Sequence, residues 1–98
     1  MSGLSLDPYV VDVLLPDLVG HDHRPSAFLV YLFLARHAER GAPVRVSLRA
    51  LAEGTGLSKR GVQSALRVLV RRRLLRTRRS GPTATPEYLV QRPWAERR

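Results

Sequence analysis

Lys59, Arg60, Gln63, Ser64 and Arg67 succeed one another at steps of one, three, one and three residues, which places all five on a single helical face. Each can donate a hydrogen bond, and three carry a full positive charge. A helical face of this kind is chemically suited to phosphate oxygens and to the acceptors on base edges in a major groove. Ser58 stands just ahead of them, where a hydroxyl can accept a hydrogen bond from a free amide at a helix start, and Arg71 extends the series by one turn. A second group lies further on. Arg76 and Arg78 alternate with Leu75 and Thr77, so in an extended chain both arginines point the same way. Together with Arg79 they are candidates for phosphate or minor-groove contacts.

Other constellations carry less chemistry. His21, Asp22, His23 and His37 offer nitrogen and oxygen donors, but neighbouring loop residues alternate in direction and nothing brings His37 to the others. No metal site is expected. No serine or threonine has a recognisable base partner, no glycine-rich phosphate loop is present, and Asp12 and Asp17 do not form an acid–base pair. The chain is therefore expected not to be an enzyme and to need no cofactor.

The elements that must hold the donor face can be read from the apolar residues behind it. Val62, Ala65, Leu66 and Leu69 occupy the opposite side of residues 58–72 at i, i+3, i+4 and i+7. Leu51 and Ala52 line the inner face of a shorter helix over 48–54, with Ala52 small enough for a close helix crossing. Between the two, Gly56 suits a turn with positive φ, and Leu57 is the apolar plug beneath it.

On these residues the segment resembles a helix-turn-helix, and the stretch after it resembles the wing of bacterial winged helix-turn-helix regulators, over roughly residues 26–92. The resemblance implies a mainly α fold with a small β-wing and a second helix that enters the DNA major groove. Two places depart from the family pattern. Such domains commonly have a glycine where the recognition helix turns into the wing, whereas here the run is Arg71, Arg72, Arg73. Either the helix ends differently or a left-handed arginine is tolerated, at about 1 kcal/mol. Gly61 lies inside the recognition helix at a cost of roughly 1 kcal/mol relative to alanine. It would allow close approach to DNA or to the preceding helix.

Charge distribution points the same way. Lys and Arg number 4 against 5 Asp and Glu in residues 1–46 and 13 against 3 in residues 47–98, giving −1 and +10 and a net charge of +9. A cationic excess confined to the half with the motif is the footprint of a polyanion-binding face. Of the 17 cations 16 are arginine, whose planar fork suits phosphate and guanine.

The remaining elements complete a small domain. After a short tail at 1–6, Asp7 and Pro8 make a helix start for residues 8–15, which Pro16 ends or kinks, leaving 17–24 as a polar connection. Ser26 is expected to cap a helix over 26–40, apolar on nearly every side as far as Arg36 and closed by Gly41 and Pro43. Such a helix must be covered all round, by residues 8–19 or by a second copy of the chain. Strands are expected at 44–46, 74–79 and 87–91, the last two joined by a polar loop, as a three-stranded sheet. Pro93 and Trp94 should pack on the sheet or the first helix, ahead of a fraying end at 95–98. The organisation so read is an N-terminal helix and connection at 1–25, a winged helix-turn-helix at 26–92 and a tail at 93–98. With no cysteine, no apolar run near ~20 residues and no export signal, the chain is expected to stay off membranes and in the cytoplasm, associated with the nucleoid.

The expected function is sequence-specific binding of double-stranded DNA, as a small bacterial or mobile-element transcription regulator. A homodimer could form through helix 26–40 and the N-terminal helix. Two alternatives stand beside it: an origin-binding module of a phage or plasmid replication or partition protein, and a protein-interaction or RNA-binding module without duplex specificity.

Overall fold

The structure, a computed structural model, describes residues 6–38 and 41–96, with the side chain of Glu96 excluded. The expected tail at 1–6 falls almost wholly outside these residues, as do 39–40 and 97–98. The first capped turn begins on Asp7, whose Oδ1 accepts the Tyr9 N–H at 3.0 Å. Winding then continues past Pro16, contrary to the expected stop. Val10–Leu14 and Pro16–His21 form wide π-helical turns whose N–H groups reach back five residues, as from Leu15 to Val10 and from Asp22 to Asp17. Proline lacks the N–H and would crowd the carbonyl four residues back in a regular α-helix; a wider turn accommodates it. Burial favours this winding. Val10, Leu14 and Leu18, spaced by four, enter the core together. The expected connection at 17–24 is therefore largely helical, and His23 closes it in the left-handed region at φ 55°.

Helix α1 runs Pro25–His37 and not 26–40. Ser26 is not its cap: Arg24 is the capping residue, and Pro25 takes the first turn, where its missing N–H is harmless. Ala38 leaves in an extended conformation, and Gly41, at φ +77°, helps turn the chain toward the sheet. The later elements are β1 (Val44–Arg45), α2 (Leu48–Thr55), α3 (Lys59–Arg71), β2 (Leu75–Arg78), β3 (Glu87–Val90) and a final turn α4 (Pro93–Glu96). The fold is a winged helix-turn-helix, mainly helical with a three-stranded antiparallel sheet. Strand order is β1-β3-β2, with Val44 and Thr77 both opposite Tyr88. Strands are shorter than expected at their ends because Leu74 belongs to the close of α3. The pairing nevertheless continues through Val46 N–H to the Pro86 carbonyl and Gln91 N–H to the Leu74 carbonyl.

Helix α1 is the centre of the core, packed on α2, α3, the N-terminal segment and β3. Val30, Tyr31 and Leu34 are fully enclosed with Leu18, Leu51, Leu69 and Leu75. The Tyr31 hydroxyl donates to the Gln91 carbonyl at 3.0 Å, and burial pushes its pKa up to about 12. It therefore stays a neutral donor that joins α1 to the end of β3. The end of the chain is not a loose tail as far as 96. Trp94 stacks on Tyr9 with ring centroids 4.4 Å apart, and its Nε1 donates to Asp7 at 3.0 Å.

Candidate nucleic-acid interface

Both helices of the pair are started by serines. Ser47 Oγ accepts the Ala50 N–H and Ser58 Oγ the Gly61 N–H, each at 3.0 Å, from extended backbone positions. Between them Gly56 adopts φ +79°, where a Cβ would be strained, and its N–H closes α2 on the Ala52 carbonyl at 2.9 Å. Thr55 Oγ1 donates to the Leu51 carbonyl at 2.7 Å and accepts the Leu57 N–H at 3.3 Å, so the turn is tied at both ends. Gly61 does not lie against α2; its nearest neighbour is the cap of its own helix. An added Cβ would lie 3.2 Å from Ser58 Oγ, crowding the cap itself.

A second close contact has no counterpart among the sequence signals. A Cβ on Gly54 would overlap the ring of Phe33, so α1 lies against α2 at that glycine. The spacing of small residues carries no sign of which one meets an aromatic ring.

Helix α3 buries Val62, Ala65, Val68 and Leu69. Val68 takes the core position expected of Leu66, which instead is half-buried beside the sheet. Together with the exposed Val70, Leu66 forms an apolar floor between α3 and β2, edged by Arg67, Arg71 and Thr77. Lys59, Arg60, Gln63, Arg67 and Arg71 all face solvent, while Ser64 is half-buried and Ser58 Oγ accepts the cap hydrogen bond, which leaves its O–H to donate. Among the described residues none of the four cations in this set has an ion-pair partner. Lys59 and Arg60 moreover occupy the first turn, the positive end of the helix dipole, where a cation is disfavoured by roughly 0.3–1 kcal/mol. Folding alone gives no reason for cations there. An anionic partner does.

The wing arginines divide. Arg76, Arg78 and Arg79 are all exposed, and Arg76 and Arg78 line one shallow depression on the sheet with Glu87 and Leu89, as the alternation predicts. Arg78, however, is already engaged, its Nε and Nη2 donating to Glu87 Oε1 at 3.1 and 2.8 Å.

The arginine run at the exit of α3 is resolved into three roles. Arg71 faces solvent. Arg72 turns inward and pairs with both Asp17 and Asp22, fastening α3 to the N-terminal segment. Arg73 adopts the left-handed conformation at φ 61°, with its N–H to the Val70 carbonyl at 3.0 Å and the Leu74 N–H to the Leu69 carbonyl at 2.9 Å. That is the Schellman closure that glycine usually makes. Asp22 is thus an ion-pair partner of Arg72, and His37 lies against Phe33 at 4.5 Å.

A model of the helix-turn-helix domain family matches residues 24–75, just over half of the chain. The chain belongs to the helix-turn-helix domain family. The match begins at the N-cap of α1 and ends on the first residue of β2, so the helix-turn-helix pair lies wholly inside it and the return strand of the wing lies outside. No curated protein and no solved structure matches the chain. A helix-turn-helix domain of this kind is a DNA-binding module, and no described helix is long and apolar enough to cross a membrane.

Proposed function

We propose that this protein binds double-stranded DNA with sequence preference, as a small bacterial or mobile-element transcription regulator. The observation that carries the reading is the face of α3, where Lys59, Arg60, Gln63 and Arg67 stand exposed, without ion pairs among the described residues, while every apolar neighbour but Val70 is at least partly buried. In the proposed complex α3 enters the major groove. Gln63 reads adenine, Arg60 or Arg67 reads guanine, and Lys59, Ser58, Ser64 and Arg71 contact flanking phosphates. Arg76, Arg78 and Arg79 grip the adjacent backbone. The functional unit is residues 26–92, braced by the described part of the N-terminal segment 1–25 and by the last helical turn, and its place is the nucleoid. Val11, Val13, Val19 and Leu29 leave apolar surface exposed on the N-terminal segment and α1, which supports a homodimer through that side. Sedimentation at two concentrations would detect it.

The decisive experiment is selection of duplexes from a random pool, followed by titration at several salt concentrations. Gln63→Ala and Arg60→Ala should change base preference, costing about 1–3 kcal/mol on the preferred site, while Arg76→Ala should weaken all duplexes alike and reduce the salt slope by about one. If no duplex is enriched and both kinds of variant behave alike, specific recognition is wrong.

A further inference from the structure

Arg45, Glu87 and Arg78 stand in register across the three strands, with Glu87 on the central one. Arg45 donates through Nε and Nη2 to Glu87 Oε2 at 3.3 and 2.8 Å, and Arg78 donates in the same way to Oε1 at 3.1 and 2.8 Å. Each carboxylate oxygen is therefore taken by one guanidinium. The two arginines come from strands on either side of β3, about 10 Å apart at the backbone. Exposure is uneven: the arginine side chains are 70% and 74% accessible, the glutamate 19%. What solvent meets is two guanidiniums held at fixed spacing, each with its Nη1 N–H groups without a partner among the described residues.

This array lies across the edge strand from the α3 face. Strand β2 is the sheet edge beside α3, and Thr77 lines both the groove against Leu66, Arg67 and Arg71 and the depression that holds Arg76, Arg78 and Glu87. A backbone that leaves α3 over β2 therefore meets Arg78 first and Arg45 beyond it.

We propose that Arg45 and Arg78, clasped across Glu87, form a second phosphodiester-binding point on the outer face of the sheet, and that Glu87 holds its affinity down by occupying the forks a phosphate would take. The site's class of ligand rests on the DNA-binding reading. Its physical content is narrower, since the array has net charge +1 and becomes +2 when the carboxylate is neutralised. One further phosphate contact contributes about 0.9 to the logarithmic salt slope, which near physiological salt is about five-fold in affinity.

The test is Glu87→Gln, alone and in an Arg45→Ala/Arg78→Ala background, measured by duplex titration across salt and by elution from immobilised heparin, with circular dichroism to check the fold. Glu87→Gln should tighten duplex binding about five-fold, steepen the salt slope by about one and delay heparin elution, and all three gains should vanish without the two arginines. Unchanged or weaker binding overturns the proposal, as does an equal gain without the arginines, which would reflect net charge alone. If the parent binds no duplex, the DNA reading fails, and the heparin comparison still decides whether Glu87 restrains a polyanion site.

Discussion

Replacing Arg73 tests whether the close of α3 stores backbone strain. Arg73 sits at φ 61° with its side chain exposed and both Schellman hydrogen bonds made, so no packing is lost when the side chain is removed. A non-glycine residue in the left-handed region costs about 1–2 kcal/mol, and glycine returns about 0.5–1 of that through its freer unfolded chain. Arg73→Gly also deletes a cation near the helix C-terminus, a favourable contact of about 0.3–1 kcal/mol at low salt. Arg73→Ala deletes the same cation and keeps the Cβ, so the comparison between the two variants isolates the backbone. Glycine should be the more stable by about 0.5–1 kcal/mol, or roughly 2–8 °C in Tm for a domain of this size, read by thermal unfolding in moderate salt. If alanine equals or exceeds glycine, the left-handed strain at Arg73 is not there and the account of the helix exit is wrong.

Arg72→Met should destabilise by about 1–2 kcal/mol, because it leaves Asp17 and Asp22 facing each other without their cation; the loss should shrink in an Asp17→Asn background, measured by denaturant unfolding. Gly54→Ala should cost about 1 kcal/mol, the displacement of the Phe33 ring outweighing alanine's better helix propensity, and the cost should disappear or reverse with Phe33→Ala. Acid should weaken the fold through two carboxylates. Glu87 is held below its ordinary pKa by Arg45 and then Arg78, and Asp7 by the Trp94 and Tyr9 N–H groups. Each therefore contributes stability that is complete above its ordinary value, 4.5 or 3.8, and is lost as the pH falls through the lower folded one. Glu87→Gln and Asp7→Asn should both flatten the fall of Tm with acid, and a Tm–pH curve unchanged in both would contradict the pairing.

The recognition helix and its turn are legible in the sequence because their signals are local. A cap serine, a turn glycine and apolar residues at helical spacing act over fewer than eight residues, and the structure places Ser58, Gly56 and the Val62–Ala65–Leu69 stripe as that spacing predicts. The exposed cations of α3 are legible for the same reason, since a side chain opposite a buried stripe must face solvent. Residues 16–24 are where local signals mislead. Proline is a local stop signal, but Leu18 is buried in the core, and Arg72, which anchors Asp17 and Asp22, lies fifty residues or more away in sequence. Those distant contacts outweigh the proline.

The arginine run shows the limit most clearly. By sequence Arg71 joins the donor face of the recognition helix, Arg72 and Arg73 are not told apart, and Arg45 has no expectation. Three-dimensional packing sends one of the run to solvent, one to two aspartates and one into a strained turn, and it brings Arg45 to a glutamate 42 residues away. What the sequence by itself determined is the motif, the face that is free to meet an anion and the sign of the charge on it, because helical periodicity and composition depend only on near neighbours. What only the tertiary structure decided is which arginines remain free and which are taken up by the protein's own carboxylates, because ion pairing depends on where distant strands and helices meet.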